Sequence, residues 1–201
     1  MAAIYPPDKK QLDGSETFLF QGSQVSKSPS IIDFWRWCCS DLQDNVTRGI
    51  LAEFVVASAL GIKLGVRESW ADFDLVTEKG IRVEVKSSGL LQSWPQKKLS
   101  SANFGQLKSR KWEPLVGYVD EQTFGGDVYV FCVQTAETHG DYDSMELSQW
   151  TFYVVGRKAM ESIDQKTISL AALKRLGLQE VSYEGLDEAV NNVWNQRDDV
   201  D

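Results

Sequence analysis

The stretch DFDLVTEKGIRVEVKSS, residues 72–88, predicts a β-hairpin, because β-branched and aromatic residues alternate with polar ones on both sides of a turn. A three-residue loop over residues 78–80 closes it if Gly80 takes the left-handed conformation. Asp74 then lies directly opposite Glu84. This register places a nearly uninterrupted apolar set on one face and the charged side chains on the other.

The register is an assumption, because a two-residue turn at Lys79 and Gly80 would set Asp74 opposite Val85 and divide the carboxylates between the faces. The longer loop is favoured because it keeps the apolar face intact. In that register the apolar face carries Phe73, Leu75, Thr77, Ile81, Val83 and Val85. The charged face carries Asp72, Asp74, Arg82, Glu84 and Lys86.

The charged face has an ordinary structural interpretation beside a functional one. It is explained by a solvated strand surface with cross-strand ion pairs, Asp74 with Arg82 or Asp72 with Lys86. A short D…ExK pattern is too common to decide against that interpretation by itself. The neighbouring segments therefore have to be considered with it.

An upstream segment, RGILAEFVVASALG at residues 48–61, predicts a helix with Thr47 as N-cap and Gly61 at its end. Its apolar residues surround the helix axis, so the helix is expected to be mostly buried. Glu53 lies among them. A buried carboxylate is costly without a positive partner or a metal, whereas a narrow exposed strip or a structural arginine would explain Glu53 without function.

In this order and spacing the helix with Glu53 and the segments DFDL and RVEVKSSG, followed by LLQSW, resemble the PD-(D/E)XK nuclease superfamily, and within it uncharacterised bacterial and phage members. The resemblance covers roughly residues 47–94 and departs from the motif at Phe73, where the name has proline. It implies an α/β fold with a restriction-endonuclease-like core, a mixed central β-sheet flanked by helices. Apolar segments at 127–133 and 150–155 are predicted as further strands, the first buried on both faces.

The resemblance also implies a site. Asp74 and Glu84, with the backbone carbonyl of Val85, would hold Mg²⁺ or Mn²⁺, and Glu53 would hold a metal-bound water or a second ion. Lys86 would orient the attacking water and stabilise developing charge. The candidate catalytic residues are thus Glu53, Asp74, Glu84 and Lys86. Asp72 and Gln92 are auxiliary candidates.

The long connection after the hairpin is the candidate nucleic-acid contact. From Arg82 to Lys111 there are seven basic residues and one acidic residue, a balance of +6 in a chain of net charge −8. The contact residues are Trp94, Lys97, Lys98, Lys108, Arg110 and Lys111, with Phe104 and Trp112 for base stacking. A solvated loop whose tryptophans are buried at its ends would look the same.

Composition limits the alternatives. The 201 residues suit one domain, here residues 29–196, between a flexible tail at 1–28 and a frayed end at 197–201. A single histidine and three irregularly spaced cysteines disfavour zinc sites, catalytic triads and disulfides, and favour a cytoplasmic setting. No targeting segment or membrane span is expected. A further helix is predicted at residues 31–43.

The leading hypothesis is a metal-dependent nuclease that hydrolyses phosphodiester bonds, with DNA as the favoured substrate. The alternative is a non-catalytic module on a nuclease fold that binds nucleic acid or a protein, which the acidic total charge favours. A plain structural domain is the third interpretation, and it requires an exposed Glu53. Relatives that cut both strands are often dimers, so a homodimer is compatible with the first hypothesis.

Overall fold

A four-stranded mixed β-sheet lies at the centre of the protein, in a computed structural model that describes residues 8–69, 71–113 and 115–198. The strands are β1 Leu19–Phe20, β2 Ser23–Gln24, β3 Leu75–Val76, β4 Arg82–Gly89, β5 Asn103–Phe104, β6 Ser109–Glu113, β7 Gly117–Thr123, β8 Val128–Gln134, β9 Trp150–Gly156 and β10 Ile168–Ser169. The α-helices are α1 Ile31–Cys39, α2 Asn45–Ala59, α3 Arg157–Ile163, α4 Leu170–Arg175 and α5 Leu186–Asn195. Short 3₁₀ helices span Leu147–Gln149 and Gln196–Asp198.

The central sheet has the strand order β3-β4-β8-β9. β4 runs parallel to β8, whereas β3 and β9 are antiparallel to their neighbours. β8 is buried at every position, which confirms the prediction of a central strand buried on both faces. The fold is therefore mixed α/β with a mixed central sheet.

Apolar side chains form one core on each face of this sheet. The first core joins residues of β4, β8 and β9 to α2 and α5, and includes Val56, Val83, Val130, Phe152 and Val190. The second core joins β8 and β9 to β5, α3 and α4, and includes Phe104, Phe131, Tyr153, Met160 and Leu173. Helices accordingly flank the sheet on both sides.

The hairpin has the predicted three-residue loop. Leu75 pairs with Val83, the Gly80 N–H donates to the Thr77 carbonyl at 2.9 Å, and Gly80 has a φ of +78°. The first strand is shorter than predicted, since residues 71–74 form bends. The ladder that would have set Asp72 against Lys86 is therefore absent.

The two N-terminal helices differ in detail from their predictions. α1 ends at Cys39, short of residue 43, and α2 begins at Asn45. Its N-cap is Asp44, whose carboxylate accepts from the N–H groups of Val46 and Thr47, so the prediction of Thr47 as the cap was wrong.

The prediction that α2 is mostly buried was also wrong. Val46, Ile50 and Phe54 lie on its outer side with 72, 44 and 55% exposure. Only the side that carries Ala52 and Val56 packs on the sheet, and an apolar sequence pattern cannot show which side lacks a partner.

The polar N-terminal segment is tied to α1 over part of its length. β1 and β2 form a small hairpin, and the Ile31 N–H donates to the Glu16 carbonyl at 2.7 Å. Residues 1–7 of the predicted tail and residues 199–201 of the predicted frayed end lie outside the described residues. Within the described chain, every helix is too short or too polar to cross a bilayer.

Candidate metal site on the central hairpin

Asp74 lies at the point where the hairpin ladder stops. Because β3 covers only two residues, the edge of β4 beyond Val83 is open to a side chain, and the Val85 N–H donates to Asp74 Oδ2 at 2.7 Å. The Asp74 N–H in turn donates to the Val83 carbonyl at 3.2 Å. Backbone bonds therefore fix the Asp74 carboxylate against the edge of β4.

Glu84 and Lys86 extend from the face of β4 opposite to Val83 and Val85, as period-2 alternation requires. Lys86 Nζ donates to Glu84 Oε1 at 2.6 Å, and the two side chains are 17 and 12% exposed. Lys86 is thus paired with Glu84, and the expected alternative pairing with Asp72 does not form.

Glu53 reaches the same region from α2. Its carboxylate is 13% exposed and accepts two hydrogen bonds, from Arg67 Nε and Nη2, each at 2.5 Å. The exposed-strip interpretation of Glu53 is excluded by this burial. The other structural explanation, a pairing of Glu53 with an arginine, agrees with the contact to Arg67. This pairing does not exclude a functional role for Glu53, because Arg67 and Glu53 both lie within electrostatic range of Asp74.

The carboxylates influence one another. Burial, and then the negative charge of Asp74, raise the pKa of Glu84 to about 7, although Lys86 opposes the shift; Glu53 adds a smaller upward contribution. Burial also raises the pKa of Glu53, against the stabilising hydrogen bonds from Arg67. The three carboxylates of Glu53, Asp74 and Glu84 therefore lie in one partly buried region with two cations, Lys86 and Arg67. When all five groups are ionised, negative charge is in excess there.

These donors fit a magnesium or manganese ion. In the described residues no three or more His, Cys, Asp and Glu side chains form a ready metal cluster. Magnesium, however, is commonly bound by one or two carboxylates together with phosphate and water, so a set of Asp74, Glu84 and a backbone carbonyl suffices. Burial and then the negative charge of Asp74 raise the pKa of Glu84, and a divalent cation would relieve the second of these effects.

The two auxiliary candidates have backbone contacts. The Asp72 carbonyl lies directly against Gly125, and its carboxylate forms no ion pair with Lys86. Gln92 is 8% exposed, and its amide donates to the Gly89 carbonyl at 3.0 Å. Gln92 therefore stabilises the turn after β4.

The candidate nucleic-acid contacts divide into two groups. Lys97, Lys98 and Arg110 are exposed, and Trp94 is half exposed. Lys108 instead pairs with Asp164 and lies over the Phe124 ring, and Lys111 pairs with Glu113 at 3.2 Å. The second group is already neutralised within the chain.

The prediction that Phe104 stacks on bases was wrong. β5 pairs with β10, and this pairing carries Phe104 into the second core, where it is 1% exposed and packs edge-on against Phe131 at 4.9 Å. No sequence pattern predicts β10 as the partner strand, because the two elements are more than sixty residues apart and each is two residues long.

Sequence reasoning missed three features next to the acidic residues: Arg67, the pair Gly125–Gly126, and Arg157. Arg67 lies in an irregular segment where no periodicity predicts its direction. The adjacent glycines between β7 and β8 are a signal from which a close backbone approach could have been predicted. Arg157 has no sequence motif around it.

No protein-family model matches the chain, and no curated protein matches it.

Proposed function

We propose that the protein is a Mg²⁺- or Mn²⁺-dependent nuclease with a restriction-endonuclease-like core, acting on DNA. One observation carries the proposal. The Asp74 carboxylate is bound to the backbone beside Glu84 on a hairpin edge, and its charge contributes to the raised pKa of Glu84 while Lys86 lies 2.6 Å from Glu84 Oε1. A partly buried pair of like-charged carboxylates with an adjacent lysine is costly to maintain for structure alone.

A bound divalent ion would neutralise charge on the scissile phosphate and lower the pKa of a water nucleophile. Asp74 and Glu84 would hold it, with the Val85 carbonyl. Lys86, beside Glu84 on the same face of β4, would donate to the attacking water or to a phosphate oxygen. Glu53, oriented by Arg67, would accept a hydrogen bond from a water in the same shell.

The direct test is incubation of the purified chain with supercoiled, linear and single-stranded DNA, and with RNA, in Mg²⁺, Mn²⁺ or EDTA. Cleavage is expected with either metal and not in EDTA, and Glu84→Ala and Lys86→Ala should each lower its rate by at least 10²-fold. Arg175→Ala, an exposed change on α4, is the matched control. Cleavage that persists in both site variants, or that is absent on every substrate, would refute the proposal.

A non-catalytic binding module is the second candidate, and a specific observation favours it. Each cation in the site already has a carboxylate partner, Lys86 with Glu84 and Arg67 with Glu53, so the charges are partly neutralised without metal. This candidate predicts no metal affinity. Calorimetric titration with Mn²⁺ decides between them: stoichiometric binding that is lost in Asp74→Asn contradicts the binding module.

A further inference from the structure

Arg157, the first residue of α3, holds two consecutive backbone carbonyls. Its Nε donates to the Gly126 carbonyl at 2.9 Å and its Nη2 to the Gly125 carbonyl at 2.8 Å. A guanidinium presents donors in a rigid plane, so it can bind two neighbouring acceptors with one orientation. We call the segment Gly125–Gly126 the glycine shelf.

The glycine shelf packs against Glu84, one member of the acidic pair formed by Asp74 and Glu84. A Cβ atom on Gly126 would come within 2.8 Å of the Glu84 Cβ and 3.0 Å of the Glu84 nitrogen. A Cβ atom on Gly125 would overlap the Asp72 carbonyl, which begins the turn that leads to Asp74. Neither glycine has a positive φ, so space rather than backbone conformation requires glycine at both positions.

Asp127, the residue after the glycine shelf, is also held by hydrogen bonds. Arg82 donates to both carboxylate oxygens of Asp127, and the Arg157 N–H donates to the Asp127 carbonyl at 2.9 Å. Two arginine side chains, Arg82 and Arg157, thus help to hold the backbone beside Glu84.

We infer that Arg157 is a positioning residue for the acidic pair: it fixes the glycine shelf, and the glycine shelf fixes Glu84 relative to Asp74. The role of that pair in metal binding rests on the proposed function. Arg157 itself touches neither carboxylate in the described contacts, and it acts through the two glycine carbonyls.

The test compares Arg157→Ala and Arg157→Lys with the exposed control Arg175→Ala. The Val85 amide is the reporter, because its N–H is bound by the Asp74 carboxylate. Its hydrogen exchange, measured by NMR in EDTA and normalised to amides of β8, is expected to be at least tenfold faster in Arg157→Ala and unchanged in Arg175→Ala. Arg157→Lys, which supplies one compact donor group, should be intermediate, and millimolar methylguanidinium should partly restore protection in Arg157→Ala.

Mn²⁺ calorimetry supplies the second readout. Arg157→Ala is expected to weaken Mn²⁺ binding by at least tenfold with unchanged stoichiometry, as for other residues that orient metal ligands indirectly. Unchanged Val85 exchange in Arg157→Ala would overturn the inference. If wild-type protein binds no Mn²⁺, the proposed function fails, whereas the Val85 exchange still decides the role of Arg157. If Arg157→Ala does not fold, Gly126→Ala tests the glycine shelf directly, because its added Cβ would press on Glu84. This variant should also speed hydrogen exchange of the Val85 amide.

Discussion

Glu84 differs from an ordinary surface carboxylate in the pH at which it loses its proton. Its pKa rises from 4.5 to about 7, first through burial and then through Asp74. A carboxylate with a raised folded-state pKa binds its proton more tightly in the folded protein. Its stabilising contribution is therefore complete below about pH 4.5 and is lost as the pH rises through about 7.

Glu84→Gln is therefore expected to make the protein more stable than wild type at pH 8, by on the order of 2 kcal/mol, and nearly equal in stability at pH 5. The loss of the Lys86 ion pair reduces this gain. Urea denaturation between pH 5 and 8 in EDTA measures it. Wild-type and variant curves that stay parallel across this range would show that Glu84 is ionised throughout.

Arg67 gives a second prediction at the residue scale. Arg67→Met leaves the largely buried Glu53 carboxylate without its two hydrogen bonds, so it should destabilise the fold by about 1–2 kcal/mol, less than a fully buried pair because Arg67 is 41% exposed. The neighbouring pair Lys9–Glu68, at 2.6 Å and exposed on both sides, is the matched control. Lys9→Met should cost less than about 0.5 kcal/mol.

A double-mutant cycle completes that experiment. Glu53→Met combined with Arg67→Met should recover part of the lost stability, because no unpaired charge remains. Denaturant midpoints with unchanged slopes give the four free energies. Equal effects of Arg67→Met and Lys9→Met would contradict the view that Glu53 is held in a dry environment.

At the same scale, the sequence predicts the opposition of Asp74 and Glu84 but not the partner of Glu53. Alternation along β4 and one glycine with a left-handed conformation determine the first, and both are local. Arg67 comes from an irregular segment, fourteen residues after Glu53, whose direction depends on tertiary contacts. Local sequence patterns thus predict the candidate metal ligands, but they do not predict the side chains that orient those ligands.

At the scale of elements, the register of the hairpin follows from its residues, whereas the length of its first strand does not. Residues 71–74 leave the ladder where the Asp72 carbonyl meets Gly125, a contact between segments fifty residues apart. This early end of β3 has a chemical consequence, because it frees the Val85 N–H to bind the Asp74 carboxylate. The deviation from the regular hairpin therefore lies at the candidate site itself.

The start of α2 gives a prediction for an element that does not depend on function. Asp44→Ala removes the acceptor for the Val46 and Thr47 N–H groups and should lower the free energy of unfolding by about 1 kcal/mol. Thr47→Ala, at the position that the sequence pattern favoured as the cap, should cost less. Thermal or urea unfolding of the two variants compares them, and a larger loss in Thr47→Ala would place the cap at Thr47 after all.

The whole molecule combines a net charge of −8 with a candidate nucleic-acid surface, so the proposed binding of DNA would depend on how many cations are available to phosphates. Among the five basic contact residues, Lys108 and Lys111 are paired with Asp164 and Glu113, whereas Lys97, Lys98 and Arg110 are exposed and form no ion pair in the described residues. Three phosphate contacts predict a slope of log K against log[salt] of about −2.7, and five predict about −4.5.

Fluorescence anisotropy of a labelled duplex from 25 to 200 mM KCl in EDTA measures this slope, and we expect the smaller value. Lys97→Ala should then reduce the slope by about one, whereas Lys108→Ala should leave it unchanged because Asp164 already neutralises that ammonium. Lys174→Ala, whose partner is Glu180, is the matched control. A slope near −4.5 that falls in Lys108→Ala would mean that DNA displaces Asp164, and the absence of binding to any nucleic acid would leave a protein partner as the occupant of this surface.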